Sequence, residues 1–309
     1  MKAGLGLEAA TAPAVSEVET PSGWLRADAM SASRRIGALS FLLVGYFFYA
    51  WSWNTVDILR PYIQESLQLD LTQSGSLYTL QSVGAIAGAV IMGQIADKIG
   101  RRNALVITMI GYGSGLLAGL IVTSFAGLVA QRVFLGFFMG SMFPIAVGIY
   151  SGLFARDVRG VISGVVMGTY NLAVAALGFL SAAAFRAGYD WTMLLWAGAI
   201  PVVLAIFALW AIPDDRRLVP MDGLVGGQAT AEAKLPIAEL FRPGVARQTI
   251  LLATMTGLNF FAYQAFTGWA STYLRTERGI PDTVIGDILG WQFVGAALGG
   301  LVWGWISDR

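Results

Sequence analysis

The 309-residue chain contains no cysteine and no histidine. The first absence removes disulfides and thiolate metal ligands. The second removes imidazole ligands, histidine-activated nucleophiles and any histidine proton relay. Charge is scarce as well. Only 13% of residues are Asp, Glu, Lys or Arg, against about 25% in an ordinary soluble domain. With 56% hydrophobic residues, a soluble chain of this length would lack the charges to cover its surface. The net charge of +1 offers nothing to nucleic acid. No Ser-His, metal or paired-carboxylate constellation is present, so the sequence implies neither an enzyme nor a cofactor. What is abundant is glycine (38) and tryptophan (10), the mixture expected where helices pack closely in lipid and aromatic rings sit at its surface.

Crossing a hydrocarbon core takes roughly 20 mostly apolar helical residues. That rule gives eight spans, near 36–58, 74–96, 103–123, 127–153, 160–184, 192–212, 248–273 and 284–306. Residues 1–33 lack apolar periodicity and read as a disordered cytoplasmic tail. Residues 34–212 read as a six-helix bundle, 213–247 as a cytoplasmic loop, and 248–309 as the start of a second bundle. Within the loop, Pro236 to Leu240 suits a short surface helix. The inside segments hold fifteen Lys and Arg residues, and the outside segments hold only Arg60, Arg186, Arg275 and Arg278. The positive-inside rule therefore places both ends in the cytoplasm of a multi-pass protein of the cell membrane.

A shift of 211 residues lays span 2 on span 8. Gly75 falls on Gly286, Gln81 on Gln292, Val83-Gly84-Ala85 on Val294-Gly295-Ala296, Gly88 on Gly299, Gly93 on Gly304 and Asp97 on Asp308. Glycine-rich helices resemble one another by chance, but chance does not keep Gln81 and Asp97 in step with the glycines. A parallel repeat of six spans is one plan by which transporters build two rocking halves. By that repeat, spans 9 to 12 would follow, so the chain is expected to hold eight of twelve.

The segment after span 2, Gly93-Gln-Ile-Ala-Asp97-Lys98-Ile-Gly100-Arg101-Arg102, resembles the G-x-x-x-D-[KR]-x-G-R-[KR] signature of the major facilitator superfamily. Gly304-Trp-Ile-Ser-Asp308-Arg309 begins its echo. The resemblance implies an all-α membrane protein of that fold, with a complete N-terminal bundle and the first two helices of the second. It also implies a cytoplasmic latch formed by Gly93, Asp97, Lys98, Gly100, Arg101, Arg102, Asp308 and Arg309. The plainer reading is that the basic residues only enforce topology.

Span 4 carries Gln131-Arg132 ahead of Gly136 and Gly140. A guanidinium inside a span costs at least about 2.5 kcal/mol on insertion scales, which makes it a site candidate by default. The pattern is similar to the family's fourth-helix motif, linked there to substrate or proton handling; a structural pairing role is the other reading. Asp57, near the outer end of span 1, is the expected partner of Arg132, unless it is merely a solvated loop residue. Asn54 and Asp57 are three apart and share a helix face. Their spacing is similar to the D-x-x-D of aromatic-acid/proton symporters, with Asn54 in place of the first Asp. Asn259, Tyr263 and Thr267 form a polar stripe on span 7, next to Gln264. Tyr46 and Tyr49, with Tyr170 and Asn171, are further cavity candidates. In the loop after span 4, Gly152 and Ala155 stand where the sugar-porter version has Glu and Pro, which counts against a sugar porter. The resemblance thus implies a monomeric secondary transporter in the lipid bilayer, taking up a small organic acid, aromatic by the closest motif, together with protons. A drug/proton antiporter, a membrane sensor and an inactive fragment are the rivals.

Overall fold

The computed structural model describes residues 23–221 and 241–307, and it is almost wholly helical. In chain order the long helices are α1 (Ala32–Ser66), α2 (Leu71–Ile99), α3 (Arg101–Ala118), α4 (Phe125–Met139), α5 (Met142–Leu153), α6 (Arg156–Arg186), α7 (Ala199–Ala211), α8 (Ala246–Thr276) and α9 (Asp282–Ser307). A 3-10 turn, Trp191–Gly198, leads into α7. Six segments are long and apolar enough to cross a membrane: Ala32–Ser66, Leu71–Ile99, Arg101–Ile121, Phe125–Leu153, Arg156–Arg186 and Trp191–Arg217. They coincide with the first six expected spans. The seventh and eighth are helical where expected, α8 being diluted by Gln248, Asn259 and Gln264.

The fourth span is broken between α4 and α5. Pro144 has no N–H to return to the Gly140 carbonyl, so the α-helical ladder cannot run through this turn. At the break the Ser141 hydroxyl lies 3.2 Å from the Phe138 carbonyl and 3.1 Å from the Thr108 hydroxyl, tying this turn to α3.

Within the first bundle α2 lies along α4 and α3 along α7. The α2–α4 contact is a glycine zipper: a Cβ at Gly84, Gly88, Gly136 or Gly140 would overlap a backbone carbonyl of the opposite helix. The core runs through Leu42, Tyr46, Leu105, Met109, Tyr112, Leu135 and Met142. Large apolar side chains such as Ile86, Val161 and Trp210 stand 69%, 71% and 72% exposed, as a lipid-facing surface requires. Across to α8 and α9, α1 packs on α8 and α6 on α9.

Residues 23–33 depart from the expected disordered tail. Leu25–Arg26 pairs in parallel with Leu218–Val219, Ala27 donates to the Val219 carbonyl at 3.0 Å, and Ala27 and Met30 are buried. A two-residue pair leaves no periodicity for the sequence to show. Residues 1–22, the Pro236–Leu240 segment, Asp308 and Arg309 lie outside the described residues.

Candidate functional site

The polar centre of the chain is Asp57, in the last third of α1 and 4% exposed. Its Oδ1 accepts a hydrogen bond from Gln264 Nε2 of α8 at 2.8 Å and lies 3.7 Å from Arg60 Nη2, one turn further along α1. Oδ2 has no partner. The backbone at Asp57 is shared as well. Pro61, four residues on, has no N–H to bond the Asp57 carbonyl, and Ser271 Oγ of α8 donates to that carbonyl at 2.7 Å. Gly268 lets α8 come this close, since a Cβ there would collide with Gln264 and stand 3.5 Å from Asp57 Oδ1. One residue thus joins the two bundles through both side chain and main chain. The solvated-loop alternative for Asp57 does not hold.

Arg132 is also buried, at 2% exposure. Its direct partner is not Asp57, as expected, but Gln81 of α2, whose Oε1 accepts from Nη1 at 3.5 Å. The reason lies on α1: Arg60, assigned by sequence to an outer loop, is itself 2% exposed and takes the place nearest the carboxylate. Arg132 remains within electrostatic reach of Asp57. Gln81, bonded also to the Trp53 carbonyl at 3.3 Å, links the guanidinium to α1. Its repeat counterpart Gln292 is half-buried, so the equivalence does not extend to surroundings.

The other expected residues divide. Asn54 Nδ2 donates to Tyr170 Oη at 2.8 Å, joining α1 to α6. Tyr46, Tyr49 and Tyr170 cluster, with ring centroids 5.0 Å apart for Tyr46–Tyr49, 6.3 Å for Tyr46–Tyr170 and 6.4 Å for Tyr49–Tyr170. Tyr263 is half-buried on the same side of α8 as Gln264 and lies within electrostatic reach of Asp57 and Tyr170. Three residues lie elsewhere. Gln131 points to α3 and donates to the Gly115 carbonyl at 2.7 Å; Asn171 turns back to the Met167 carbonyl of its own helix; Asn259 is exposed. The polar stripe of α8 is therefore inside only from Tyr263 onward.

Beyond Asp57, towards the end of α1, the two bundles meet through charge. Arg275 of α8 reaches Glu65 at 2.7 Å and Asp282 at 3.0 Å, and its guanidinium stacks 4.8 Å from the Tyr62 ring. Arg186 of α6 pairs with Asp287 of α9 at 2.6 Å. A cavity of about 350 Å³ opens beside this clasp, lined by Tyr62, Glu65, Phe185, Trp191, Arg275 and Asp282. It does not reach the Asp57 cluster.

At the opposite end, the signature segment is tied inside the first bundle. Gly100, with φ +88, turns the chain between α2 and α3 in a conformation that side chains disfavour. The Asp215 carboxylate, just after α7, accepts from the backbone N–H of Arg101 at 2.9 Å and of Arg102 at 3.3 Å, capping α3 from outside the helix. Arg102 pairs with Asp214 at 3.3 Å, and Arg101 donates to the Gly148 carbonyl at 3.0 Å. Asp97 and Lys98 are exposed, and nothing lies within 4 Å of a Cβ at Gly93. Sequence reasoning read Asp214 and Asp215 as loop composition. Two acids directly after an apolar span, beside a helix start with no capping side chain of its own, were the available signal.

Comparison with known proteins bears on this arrangement. Residues 42–309 match the Major Facilitator Superfamily. The chain is 25% identical, over 96% of its length and 71% of the relative's, to the 4-hydroxybenzoate transporter PcaK of Pseudomonas aeruginosa. It is 24% identical to the gallate transporter of Pseudomonas putida, over 88% of its length and 65% of that protein. Among solved structures, a bacterial homolog of the human lysosomal transporter Spinster, in an inward-facing and unoccupied conformation, superposes with a TM-score of 0.70 at 16% identity, covering 90% of this chain and 64% of that one. The chain thus spans roughly two thirds of the proteins it matches.

Proposed function

Because the chain belongs to the major facilitator superfamily, a family of transporters and not of enzymes, we propose that it serves proton-coupled uptake of a small organic acid by alternating access. Residues 34–212 form one rocking bundle, and residues 248–309 belong to the other, joined by the segment 213–247. The N-terminus is cytoplasmic, which puts the C-terminal end of α1 on the outer side of the cell membrane. The protein acts as a monomer.

The observation that carries this reading is the Asp57 joint. A buried carboxylate hydrogen-bonded across two bundles changes its hold on the second bundle whenever it gains or loses a proton, because only the ionised form is acceptor-only. Charge decides the sign of the solute. Arg60 and Arg132 face one Asp57, so the cluster is net positive and suits an anion; an efflux pump for organic cations would want the reverse. Tyr46, Tyr49, Tyr170 and Tyr263 offer rings for an aromatic solute to stack on, in keeping with the hydroxybenzoate and gallate transporters among the relatives.

The test is uptake of radiolabelled 4-hydroxybenzoate and of an aliphatic acid into liposomes under an imposed pH gradient. Accumulation should follow the gradient and fall at least about tenfold in Arg132→Ala, the loss expected when a buried charge partner is removed. Uptake indifferent to the gradient, or unchanged in Arg132→Ala, refutes the reading.

A further inference from the structure

Trp269 has no place in the reading so far, yet together with Arg60 it closes over Asp57. The Arg60 guanidinium is almost fully buried. One end donates to the Ser74 carbonyl of α2 at 2.7 Å, and another end faces Asp57 at 3.7 Å. Its carbon lies 4.6 Å from the centroid of the Trp269 ring of α8, a cation–π contact made between the bundles. The same indole lies against α2: a Cβ at Gly75 would stand 3.2 Å from Trp269 Cζ2 and 3.7 Å from Cη2 and meet nothing else within 4 Å. Gly75 is thus a notch whose neighbours all belong to Trp269. Glycine near the start of α2 needs no unusual backbone here; it leaves room for an indole from the other bundle.

We infer that Trp269, seated in the Gly75 notch against Arg60, is the seal that shuts Asp57 off from the outer side, and that Arg60 is the positioning residue of that seal. The arrangement rests on the transport reading for its purpose, not for its geometry. It makes Arg60 serve two neighbours at once. While the indole is seated, Arg60 is held beside Asp57, and Ser271, two residues beyond Trp269, is bonded to the Asp57 carbonyl. Withdrawal of α8 unseats the ring, frees the guanidinium and breaks the Ser271 and Gln264 bonds together. The groups facing Asp57 in the closed state are Arg60 from its own helix, Gln264, Ser271 and Tyr263 from α8, Tyr78 from α2 and Arg132 from α4.

The absence of cysteine makes a direct test possible. Ser271→Cys, fully buried at the bundle interface, becomes the only thiol, and its reaction with a membrane-impermeant maleimide is timed from each side of the membrane. Labelling from the outer side should be slow with the seal intact. It should rise about tenfold in Trp269→Ala, which loses the cation–π contact, and in Gly75→Leu, which fills the notch. Trp269→Phe keeps a ring under Arg60 and should stay near the starting rate. Gly164→Leu adds the same bulk where nothing lies within 4 Å and should change nothing. If Gly75→Leu fails to accumulate, the contrast between Trp269→Ala and Trp269→Phe decides alone. Equal outer-side rates in Trp269→Ala, Trp269→Phe and the intact protein overturn the seal. Labelling needs no transport, so a protein that fails the liposome assay can still pass this one, and the reverse.

Discussion

Replacing Asp215 by alanine should destabilise the first bundle more than replacing its neighbour Asp214. Helix α3 begins at Arg101 with Gly100 before it, and Gly100 offers no side chain to its free N–H groups. Asp215, just after the last helix of the bundle, supplies the missing acceptor at 2.9 and 3.3 Å. Losing an N-cap acceptor costs about 0.5–2 kcal/mol, and losing a carboxylate at a helix N-terminus about 0.3–1 kcal/mol more. Asp215→Ala should therefore cost about 2 kcal/mol. In a cooperative unit of this size each kcal/mol moves the midpoint by about 2–4 °C, so the Tm should fall by about 4–8 °C. Asp215→Asn keeps an acceptor without the charge and should lose about half as much. Asp214→Ala removes a pair with Arg102 whose side chains are 22% and 18% exposed; solvent screening holds that loss below about 1 kcal/mol. Thermal unfolding in detergent, followed by far-ultraviolet circular dichroism, ranks the three. A larger loss in Asp214→Ala than in Asp215→Ala would refute the capping argument.

Other changes separate the forces at work. Tyr112→Phe deletes a buried hydroxyl that donates to the Gly45 carbonyl at 2.8 Å, and should lower the Tm by about 2–4 °C, the effect of about 1 kcal/mol. Gly136→Val forces a side chain onto the Gln81 carbonyl; overpacking of more than about 3 kcal/mol should leave little folded protein, measured by size-exclusion yield. Arg275→Ala breaks the pairs with Glu65 and Asp282. These are partly exposed, so stability should change by less than about 1 kcal/mol. Spin labels at the C-terminal ends of α1 and α8 should nonetheless report a broader distance distribution.

What the sequence shows and what it hides follow from the range of the forces involved. Helix positions and lipid exposure are set by local apolar runs, and these were legible throughout the first six spans. The glycines at 84, 88, 136 and 140 permit the closeness of α2 and α4, because only a small residue allows such an approach, but the sequence does not say which helix each of them meets. That Arg132 would be buried was legible from its place in a span. Its surroundings were not: Arg60 lies just past residue 58, where the expected span ends, and so reads as the start of an outer segment, whereas α1 continues through Pro61 to Ser66. The break before α5 was readable in Pro144 but passes unnoticed when only hydropathy is summed. The trans cap by Asp215 and the pairing of Leu25–Arg26 with Leu218–Val219 are contacts between distant segments, which no local pattern announces. Positive-inside counting places Arg186 and Arg275 among the outer charges but says nothing of partners, and each is held in an ion pair between the bundles.

The two kinds of helix contact differ in how easily they part. Inside the first bundle, helices meet backbone to backbone through glycine, an arrangement with one fit. Between the bundles, α1 and α8 meet through side-chain hydrogen bonds, an ion-pair clasp and one indole, each of which water or a proton can replace. The exception is α6 against α9, where a Cβ at Gly178 would lie 2.7 Å from the Gly286 carbonyl oxygen and 2.8 Å from the Gly290 nitrogen. One tight contact beside several soluble ones is the geometry of a pivot. The three atoms nearest that Cβ all belong to α9, so Gly178→Val should push α9 away and leave the first bundle intact. Overpacking of about 1–3 kcal/mol would then fall on the α6–α9 contact alone. Hydrogen exchange should speed up in α9 and stay unchanged in α2 and α4. Equal acceleration in α2 and α9 would show that the bundles unfold as one body, and no pivot would be needed.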